Sequence, residues 1–446
     1  MRVCLLLVFS LCCGCSRHVA VEEISVDKRK KPNDLPVFVA RDTDWPSWRG
    51  PLQNGISVSP PAPTSWSDST NVSWKSQVPG RGHGSPVIVG SHVYVASAID
   101  AQQQQLVMAF NRKTGAEVWR TIVHQGPLTK SGKMHPKGTH ANGTVACDDQ
   151  HMFVAFLTEN SIVVSALDFD GQLIWQKKLG AFNSKFGYAP SPVVYKSFVI
   201  FAADNQGGGY LAALDRRTGE IVWRKARSNH SSYSSPVVAT VDGKEQLLIS
   251  GSHQVSSYDP GSGELIWSCE GTTEATCGTV VWNESTVFAS GGYPDSQTLA
   301  VRADGSGQIE WSNSVRCYET SMLLVGDELY AVTDNGIAYC WDAKSGVVNW
   351  KKRLGGNFSA SPVYCDGEIY AANLRGETFV FRANKNLYQM TAMNVLGSDA
   401  YASPAICDGQ IFMRVGSEEE GHRQEWLYCL GGPPLSNSKR ANHGGN

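Results

Sequence analysis

The stretch RRTGEIVW, residues 216–223, is one copy of a pattern that the chain writes repeatedly. Close copies are NRKTGAEVW (111–119), DPGSGELIW (259–267) and DAKSGVVNW (342–350), and looser ones are DFDGQLIW (168–175) and RADGSGQIEW (302–311). The closing tryptophans are 56, 48, 44, 44 and 39 residues apart. A turn and a tryptophan that return at this period indicate a structural repeat.

A second pattern lies between these copies and begins with Ser-Pro-Val or a variant. Examples are SPVIVGSHVYVAS from residue 85, SPVVYKSFVIFAA from 191, SPVVATVDGKEQLLISG from 235, SPVYCDGEIYAAN from 361 and SPAICDGQIFMRV from 403. Each repeat therefore contains four short strands, and the tryptophan is on the last of them. Four strands in every 40 to 50 residues are typical of a β-propeller blade.

The two chain ends decide the blade count. A seventh copy starts at Ser361 and has Tyr388 in the tryptophan slot, and an eighth starts at Ser403 but stops at YCLGG (428–432) without its last strand. The stretch NVSWKSQV (71–78), which contains Trp74, can supply that strand. The sequence therefore predicts an all-β, eight-bladed β-propeller closed by an N-terminal strand that joins the C-terminal blade. Seven blades are the alternative count.

The turn and the tryptophan have a physical explanation. Glycine in Thr-Gly or Ser-Gly accepts a positive φ angle without steric cost. The tryptophan then buries a large ring, and we expect it to pack against the neighbouring blade. We interpret the tryptophans as structural because packing requires repetition, whereas a binding site needs one special place: Trp74, Trp119, Trp175, Trp223, Trp267, Trp311 and Trp350.

The composition limits the partners. The chain has 446 residues, with 39 basic and 41 acidic side chains. This near balance argues against nucleic-acid binding, which usually needs a basic surface. Eight cysteines lie beyond residue 15. Most fall in equivalent repeat positions and are expected to be small buried residues, whereas the disulfide state of Cys269, Cys277 and Cys317 is open and a Cys269–Cys277 bridge is conceivable.

The N-terminus has the layout of a secretory signal. Arg2 is followed by the apolar residues 5–13 and by Gly14-Cys15. This layout resembles a bacterial lipoprotein signal with Cys15 as the lipidated residue, although Cys12 stands where such signals usually carry leucine. A signal cleaved without lipidation and a disordered apolar tail are the alternatives. The predicted organisation is a signal peptide (1–15), a flexible tether (16–43), a Trp/Pro-rich arm (44–70), the propeller (71–432) and a disordered tail (433–446).

The Ala-Leu-Asp, Thr-Gly and Trp elements resemble the repeats of PQQ (pyrroloquinoline-quinone) dehydrogenases and of the PQQ-like, BamB-like propellers. The resemblance covers roughly residues 70–432 and implies the fold more strongly than the function. The BamB-like members imply a lipid-anchored scaffold in outer-membrane protein assembly. The dehydrogenases imply PQQ with calcium as cofactor.

The sequence gives the enzyme little support. Beyond the signal the chain has no adjacent cysteine pair, a feature of many PQQ dehydrogenases, and it has no Cys-x-x-Cys-His haem motif. Asp204-Asn205 and Asp334-Asn335 could offer calcium ligands, but both pairs follow apolar strands where turns are expected. Trp48 and Arg49 are expected to pack with the arm, with a ligand role as the alternative. We expect neither a metal site nor a resident cofactor.

A set of polar and aromatic side chains precedes the first strands, where the chain re-enters near the propeller axis. We predict that these residues form a binding ring at one mouth of the central channel: His83, His140, Tyr188, His230, Tyr233, Glu319, Phe358 and Tyr401. The alternative is that they only cap the channel. The long connection at residues 124–140 is the best candidate for a functional loop.

The sequence thus favours a non-catalytic, monomeric scaffold, exported to the periplasmic face of the outer membrane. It would bind an envelope protein or peptide through the ring or a blade edge, and it would contact the membrane through its lipid anchor only. A PQQ-dependent quinoprotein dehydrogenase of alcohols or sugars is the alternative, and a propeller that binds carbohydrate or another small molecule without chemistry is a third hypothesis.

Overall fold

A computed structural model describes residues 21–26, 35–128, 134–419 and 421–432. These residues form eight antiparallel β-sheets of the kind that the repeat predicts. The predicted signal peptide with Cys15 and the predicted C-terminal tail lie outside the described residues. Within the described ranges no helix is long and apolar enough to cross a membrane.

Each sheet is one blade of the propeller, and its strands follow one another from the axis outward. A short strand of the N-terminal arm, β1 (Ile56–Ser57), adds to the inner strand of the seventh blade in parallel. The outer strand of the eighth blade is β2 (Val72–Val78). The remaining strands run in chain order, blade by blade. In blade 1 they are β3 (Val87–Val89), β4 (His92–Ile99), β5 (Gln104–Asn111) and β6 (Glu117–Gln125); in blade 2, β7 (Ala146–Cys147), β8 (His151–Thr158), β9 (Ser161–Asp168) and β10 (Leu173–Ala181); in blade 3, β11 (Val193–Tyr195), β12 (Phe198–Ala202), β13 (Gly209–Asp215) and β14 (Ile221–Arg227); in blade 4, β15 (Val237–Val241), β16 (Lys244–Gly251), β17 (Gln254–Tyr258) and β18 (Leu265–Glu270).

The second half of the ring continues the same order. In blade 5 the strands are β19 (Val281–Trp282), β20 (Thr286–Gly291), β21 (Gln297–Arg302) and β22 (Ile309–Asn313); in blade 6, β23 (Leu323–Val325), β24 (Glu328–Val332), β25 (Ile337–Asp342) and β26 (Val348–Arg353); in blade 7, β27 (Val363–Cys365), β28 (Glu368–Ala372), β29 (Glu377–Arg382) and β30 (Met390–Val395); in blade 8, β31 (Ala405–Cys407), β32 (Gln410–Glu419) and β33 (His422–Leu430). The antiparallel pairing of β2 with β33 closes the ring, so the eight-bladed count and the closure by an N-terminal strand are both confirmed.

The repeated tryptophans lie on the outer strands and contact the next blade. Trp223, for example, is fully buried, and its ring packs against Gly263 in the turn of blade 4. The Nε1–H of Trp223 donates to the carbonyl of Pro260 in the same turn, at 3.3 Å. The indole groups of Trp74, Trp119, Trp175, Trp311 and Trp350 donate in the same way to turn carbonyls of the following blades. Each of these six indoles thus bonds and packs across a blade boundary, whereas the Nε1–H of Trp267 donates to Gln246 Oε1 within its own blade.

The seventh copy departs from the sequence prediction. Ala392 of β30, and not Tyr388, occupies the tryptophan slot, because the strand and its bulge begin two residues after Tyr388. Trp66 of the arm stands over Tyr370 instead, with ring centroids 6.4 Å apart. Tyr370 is the equivalent of Tyr94, which the docking tryptophan of blade 1 contacts at 5.9 Å. The arm therefore supplies the indole that blade 7 lacks.

A buried ion pair joins the last blade to the first. Arg414 of β32 donates to the Glu425 carboxylate at 2.6 Å, and the side chains are only 1% and 2% exposed. The same guanidinium donates to the Ala96 carbonyl and the Ser97 hydroxyl of blade 1. These contacts reinforce the boundary between blade 8 and blade 1, which the chain itself crosses only through residues 79–86.

The described cysteines are free thiols, including Cys269, Cys277 and Cys317. Cys340 and Cys429 lie opposite docking tryptophans on the third strands, in the small slot that alanine fills elsewhere. Part of the predicted tether also lies on the propeller. Ile24 forms an antiparallel bridge with Arg224 of β14, and the side chain of Glu23 accepts the N–H of Ala226.

Candidate functional site

A belt of hydroxyl groups surrounds the propeller axis at the start of the first strands. The N–H of Ser85 donates to Thr144 Oγ1 of the next blade at 3.0 Å, and Thr144 N–H donates to Ser191 Oγ at 3.0 Å. The same bond joins Ser191 to Ser235, Thr279 to Ser321, Ser321 to Ser361 and Ser361 to Ser403. The repeated Ser/Thr, which precedes Pro, Val or, at Ser321, Met, therefore positions one blade against the next and gives the channel a polar wall.

The N-terminal arm closes one end of this channel. The Trp48 indole Nε1–H donates to Thr279 Oγ1 of the belt at 2.9 Å. The Arg49 guanidinium is buried, donates to the carbonyls of Met322 and Pro362, and so joins the arm to blades 6 and 7. Burial lowers the pKa of Arg49 to about 9. Both residues pack in the axial channel, which is the structural role expected for the arm.

The other end of the channel opens into a funnel with Trp48 at its floor. The space has a volume of about 870 Å³, part of it open to solvent. Its upper wall is mainly aromatic, with a histidine, a lysine and a carboxylate among the aromatic rings: His83, Lys137, Phe186, Tyr233, Tyr318, Glu319 and Tyr401. Flat aromatic faces beside a few polar groups suit an extended peptide or a small polar ligand.

The end of the long connection lies across the mouth of the funnel. Lys137, which precedes blade 2, forms an ion pair with Glu319, which precedes blade 6 on the opposite side of the ring. The N–H of His135 donates to the Lys185 carbonyl at 2.7 Å, and its ring packs on Phe186. Residues 134–140 thus narrow the opening, whereas residues 129–133 of the predicted loop lie outside the described residues.

His83 is the titratable group with the most unusual surroundings in the funnel. Its ring stacks on Tyr401, with centroids 4.2 Å apart and planes 3° from parallel, and its Nε2 has no hydrogen-bond partner. Burial, with the positive charges of Arg81, Arg414 and Arg423, lowers the pKa of His83 well below its usual range. The imidazole is therefore neutral at pH 7 and offers a free nitrogen near the funnel.

The structure brings four of the eight predicted ring residues together in the funnel, namely His83, Tyr233, Glu319 and Tyr401. The other four lie elsewhere. Tyr188 and Phe358 are buried within blade cores, where the hydroxyl of Tyr188 donates to the Ala202 carbonyl. His140 is buried with its Nδ1 2.8 Å from the Asp100 carboxylate. His230 lies on the outer rim beside His253 and Glu274.

Sequence reasoning missed several residues that line the funnel. Phe186 and Tyr318 belong to the same connections as Tyr188 and Glu319, but the alternation within a connection cannot be read without its backbone path. Cys277, whose disulfide state the sequence left open, also lines the funnel. Burial raises the pKa of the Cys277 thiol well above its usual range, which makes it a poor nucleophile.

The residues at the channel do not fit calcium and PQQ. Asp204 is held by two hydrogen bonds from Arg227, at 2.7 and 2.9 Å, with both side chains almost fully buried. Asp334 accepts the backbone N–H groups of Tyr318 and Glu319. The Asn205 amide bonds to Ala203, Gly207 and Gly208 within its own turn. These oxygens already serve the local structure, and the Trp48 ring occupies the channel floor where a flat cofactor would need space.

The outer strand of blade 7 is a second unusual surface. β30 reads MTAMNV and carries no charge, whereas each of the other seven outer strands carries at least one Lys, Arg or Glu. Met390, Met393 and Val395 are 54%, 51% and 51% exposed. Charged side chains, lysine above all, usually protect exposed strand edges from pairing, so this edge is the least protected of the eight.

The comparisons with known proteins agree with this architecture. A family model described as outer membrane protein assembly factor BamB matches residues 103–352, more than half of the chain. The chain belongs to this BamB family. A curated BamB of Yersinia pestis is 23% identical over 265 residues, which cover 58% of this chain and 55% of that protein. A BamB of Francisella salina is 26% identical over 187 residues, which cover 37% of this chain and 31% of that protein. The matches thus span about half of the first relative and a third of the second.

Solved structures support the fold alone, because their identities are low. BamB from Moraxella catarrhalis superposes with a TM-score of 0.59 at 12% identity, covering 80% of this chain and 99% of that one. A europium-containing methanol dehydrogenase superposes with a TM-score of 0.66 at 12% identity, covering 88% of this chain and 98% of that one. The quinohemoprotein alcohol dehydrogenase of Comamonas testosteroni superposes with a TM-score of 0.62 at 12% identity, covering 89% of this chain and 82% of that one. BamB and dehydrogenases share this propeller, so function must be argued from the site.

Proposed function

We propose that this BamB-family propeller is a non-catalytic binding scaffold of the cell envelope that takes part in outer-membrane protein assembly. The observation that carries the proposal is the aromatic funnel above the floor formed by Trp48. Phe186, Tyr233 and Tyr401 offer stacking faces, and the hydroxyl belt offers polar partners below them. An extended segment of a partner protein fits this combination better than a redox cofactor does.

The uncharged edge of blade 7 offers a second docking surface. A strand added to β30 would gain main-chain hydrogen bonds, and Met390 and Met393 would contact its apolar side chains. The chain itself uses such an edge elsewhere, since Ile24 pairs with Arg224 on the outer strand of blade 3. Partners rich in β-strands, as outer-membrane proteins are, suit this mode of binding.

Photo-crosslinking in a Gram-negative host tests both surfaces. A photoreactive phenylalanine analogue replaces Tyr401 in the funnel or Met393 at the edge, and Lys113 in an exposed turn of blade 1 serves as the matched control. We expect envelope proteins of outer-membrane assembly, or their client barrels, as products at Tyr401 or Met393 and not at Lys113. The same products at all three positions, or none at any, would contradict the scaffold.

A cofactor titration tests the quinoprotein alternative directly. PQQ and calcium are added to the purified chain, and thermal stability and dye reduction with alcohols and aldoses are followed. A ligand at a hundred times its dissociation constant stabilises a fold by about 2.7 kcal/mol, which is readily measured. We expect no shift and no turnover. Turnover would replace the scaffold with an oxidoreductase.

The cellular location is part of the proposal and rests on the N-terminal sequence. We propose export, lipidation of Cys15 and attachment at the periplasmic face of the outer membrane. Cells grown with a clickable fatty acid should label the wild-type chain and not the Cys15→Ser variant. Label that persists in the variant would refute Cys15 as the anchor.

A further inference from the structure

Three metal-ligating side chains from separate segments meet on the rim of blades 4 and 5. His230 precedes β15, His253 lies in the turn between β16 and β17, and Glu274 lies between β18 and β19. Their ligand atoms all lie within 4.8 Å of one another. In the ranges that the structure describes, this is the one group of three or more His, Cys, Asp or Glu residues with that spacing.

The side chains already face one another. His230 Nδ1 lies 3.8 Å from a carboxylate oxygen of Glu274. The two imidazole rings have centroids 4.8 Å apart and are perpendicular. Zinc bonds of about 2.0–2.2 Å place ligand atoms roughly 3.3 Å apart, so the three side chains need to close by only about 1.5 Å. The side chains of His230 and Glu274 are 45% and 31% exposed, which leaves them free to make this adjustment.

The backbone fixes the three segments relative to one another. Ser252 N–H donates to the Glu274 carbonyl and His253 N–H to the Thr273 carbonyl, both at 2.8 Å. Ser252 Oγ donates to the His230 carbonyl at 3.1 Å. Each ligand therefore starts from a backbone that is bonded to the turn at residues 252–253.

The turn that carries His253 has an uncommon conformation. Ser252 and His253 have φ angles of +59° and +64°, and the facing residues Thr272 and Thr273 have +61° and +59°. Positive φ is uncommon for residues other than glycine, and two facing pairs cluster here. Ser252 and His253 are the two central residues of the hairpin between β16 and β17, where a two-residue turn requires positive φ at both positions, so the turn holds His253 in a defined place.

We propose that His230, His253 and Glu274 bind one divalent transition-metal ion, with zinc as the first candidate. Two neutral imidazoles and one carboxylate are ligands that zinc accepts, and they leave at least one position for water or a partner's side chain. The ion would connect both blades at the rim. It would also fix the segment leading to Tyr233, which lines the funnel three residues after His230.

Zinc binding by the purified chain, prepared without a histidine tag, tests the site. Isothermal titration with Zn²⁺ should give one ion per chain, and Co²⁺ in its place should give the visible absorption bands of a protein-bound ion. We expect His253→Ala and Glu274→Gln each to weaken the affinity at least about tenfold, a loss of about 1.4 kcal/mol.

Matched variants separate this site from incidental surface binding. His422→Ala and Glu220→Gln remove an exposed histidine and an exposed glutamate away from the cluster, and both should bind zinc like the wild type. Thermal unfolding in EDTA checks that every variant folds. The proposal would be overturned if the folded wild type does not bind zinc, or if all variants bind it equally. Neither result would contradict the proposed scaffold function.

Discussion

The docking tryptophans depend on a glycine beneath the indole ring. Gly263 has a φ of +71°, and a Cβ atom there would lie 2.6 Å from Cε3 of Trp223. An alanine in this left-handed conformation costs about 1–2 kcal/mol. Displacing the buried indole adds about 1–3 kcal/mol. We therefore expect Gly263→Ala to lower the free energy of unfolding by about 2–5 kcal/mol in chemical denaturation.

Gly243→Ala is the matched control for this substitution. Gly243 has almost the same φ, +69°, but no atom lies within 4 Å of the position that its Cβ would take. Gly243→Ala should therefore lower the free energy of unfolding only by the cost of the left-handed backbone conformation, about 1–2 kcal/mol. Equal losses in the two variants would mean that close packing against Trp223 contributes nothing.

His83 should make the protein less stable in acid. Its pKa is lowered in the folded state, so the unfolded chain binds the proton first as the pH falls. The contribution of neutral His83 to the free energy of unfolding is fully present above about pH 6.5. Below that pH it decreases by up to about 1.4 kcal/mol per pH unit. The variant His83→Phe keeps the stack on Tyr401 without a titrating group. Its thermal midpoint should fall less than that of the wild type below pH 6.5.

The exposed His422 provides the comparison. His422→Phe should keep the wild-type dependence on pH. If His83→Phe and the wild type lose stability in parallel, protonation of another group causes the acid loss.

At the scale of elements, the arm acts as a replacement for a missing part of blade 7. Trp66 stands over Tyr370, and its backbone N–H donates to Asn394 Oδ1 of β30 at 2.9 Å. We expect Trp66→Ala to cost about 3–5 kcal/mol, like the loss of any buried tryptophan. Trp66→Phe should cost less, because a ring remains over Tyr370. A near-neutral Trp66→Ala would show that blade 7 needs no such indole.

The sequence predicted the strands well and the arm poorly, for a physical reason. Four-strand copies are visible because each blade repeats the same packing, so Trp119, Trp175 and Trp223 could be placed from spacing alone. Tyr388 was wrongly placed because its blade breaks the pattern. The partner that compensates, Trp66, lies more than three hundred residues away in a segment without a repeat. Contacts of that kind leave no local signal.

At the scale of the whole molecule, the Arg414–Glu425 pair strengthens the boundary between blades 8 and 1. Arg414→Met would remove the shorter of the two ion pairs of the buried Glu425 carboxylate, which keeps Arg423 at 3.2 Å, so we expect a loss below that of a fully unpaired buried charge, about 3–5 kcal/mol, but above that of a surface pair. Arg120→Met is the control, because Arg120 pairs with Glu117 on the surface and such pairs contribute about 0–1 kcal/mol. Urea unfolding of both variants measures the difference. Similar losses would mean that the ring boundary does not depend on the buried pair.

From the sequence, the features that repeat in every blade were predicted correctly. The features that differ from blade to blade were predicted only in part. Ring closure followed from a missing strand at one end and a spare strand at the other. The funnel was only half predicted, because the prediction did not take the register of each residue relative to the belt hydroxyls into account. Tyr233 and Tyr401 lie two residues before Ser235 and Ser403 and face the funnel, whereas Tyr188 lies three residues before Ser191 and turns into its own blade. In these three connections a shift of one residue separates the funnel from the blade core.

The pairing of β2 with β33 also determines when during synthesis blade 8 can form. Residues 72–78 leave the ribosome early, but their partners at 425–430 are made after more than three hundred further residues. At about 5–20 residues per second, the first strand waits roughly 20–70 s before its sheet exists. During that time β2 has no sheet to join, although the turn of blade 1 that Trp74 contacts is already made. The β2 strand of a nascent chain therefore stays open to chaperones and proteases until residues 425–430 have been synthesised.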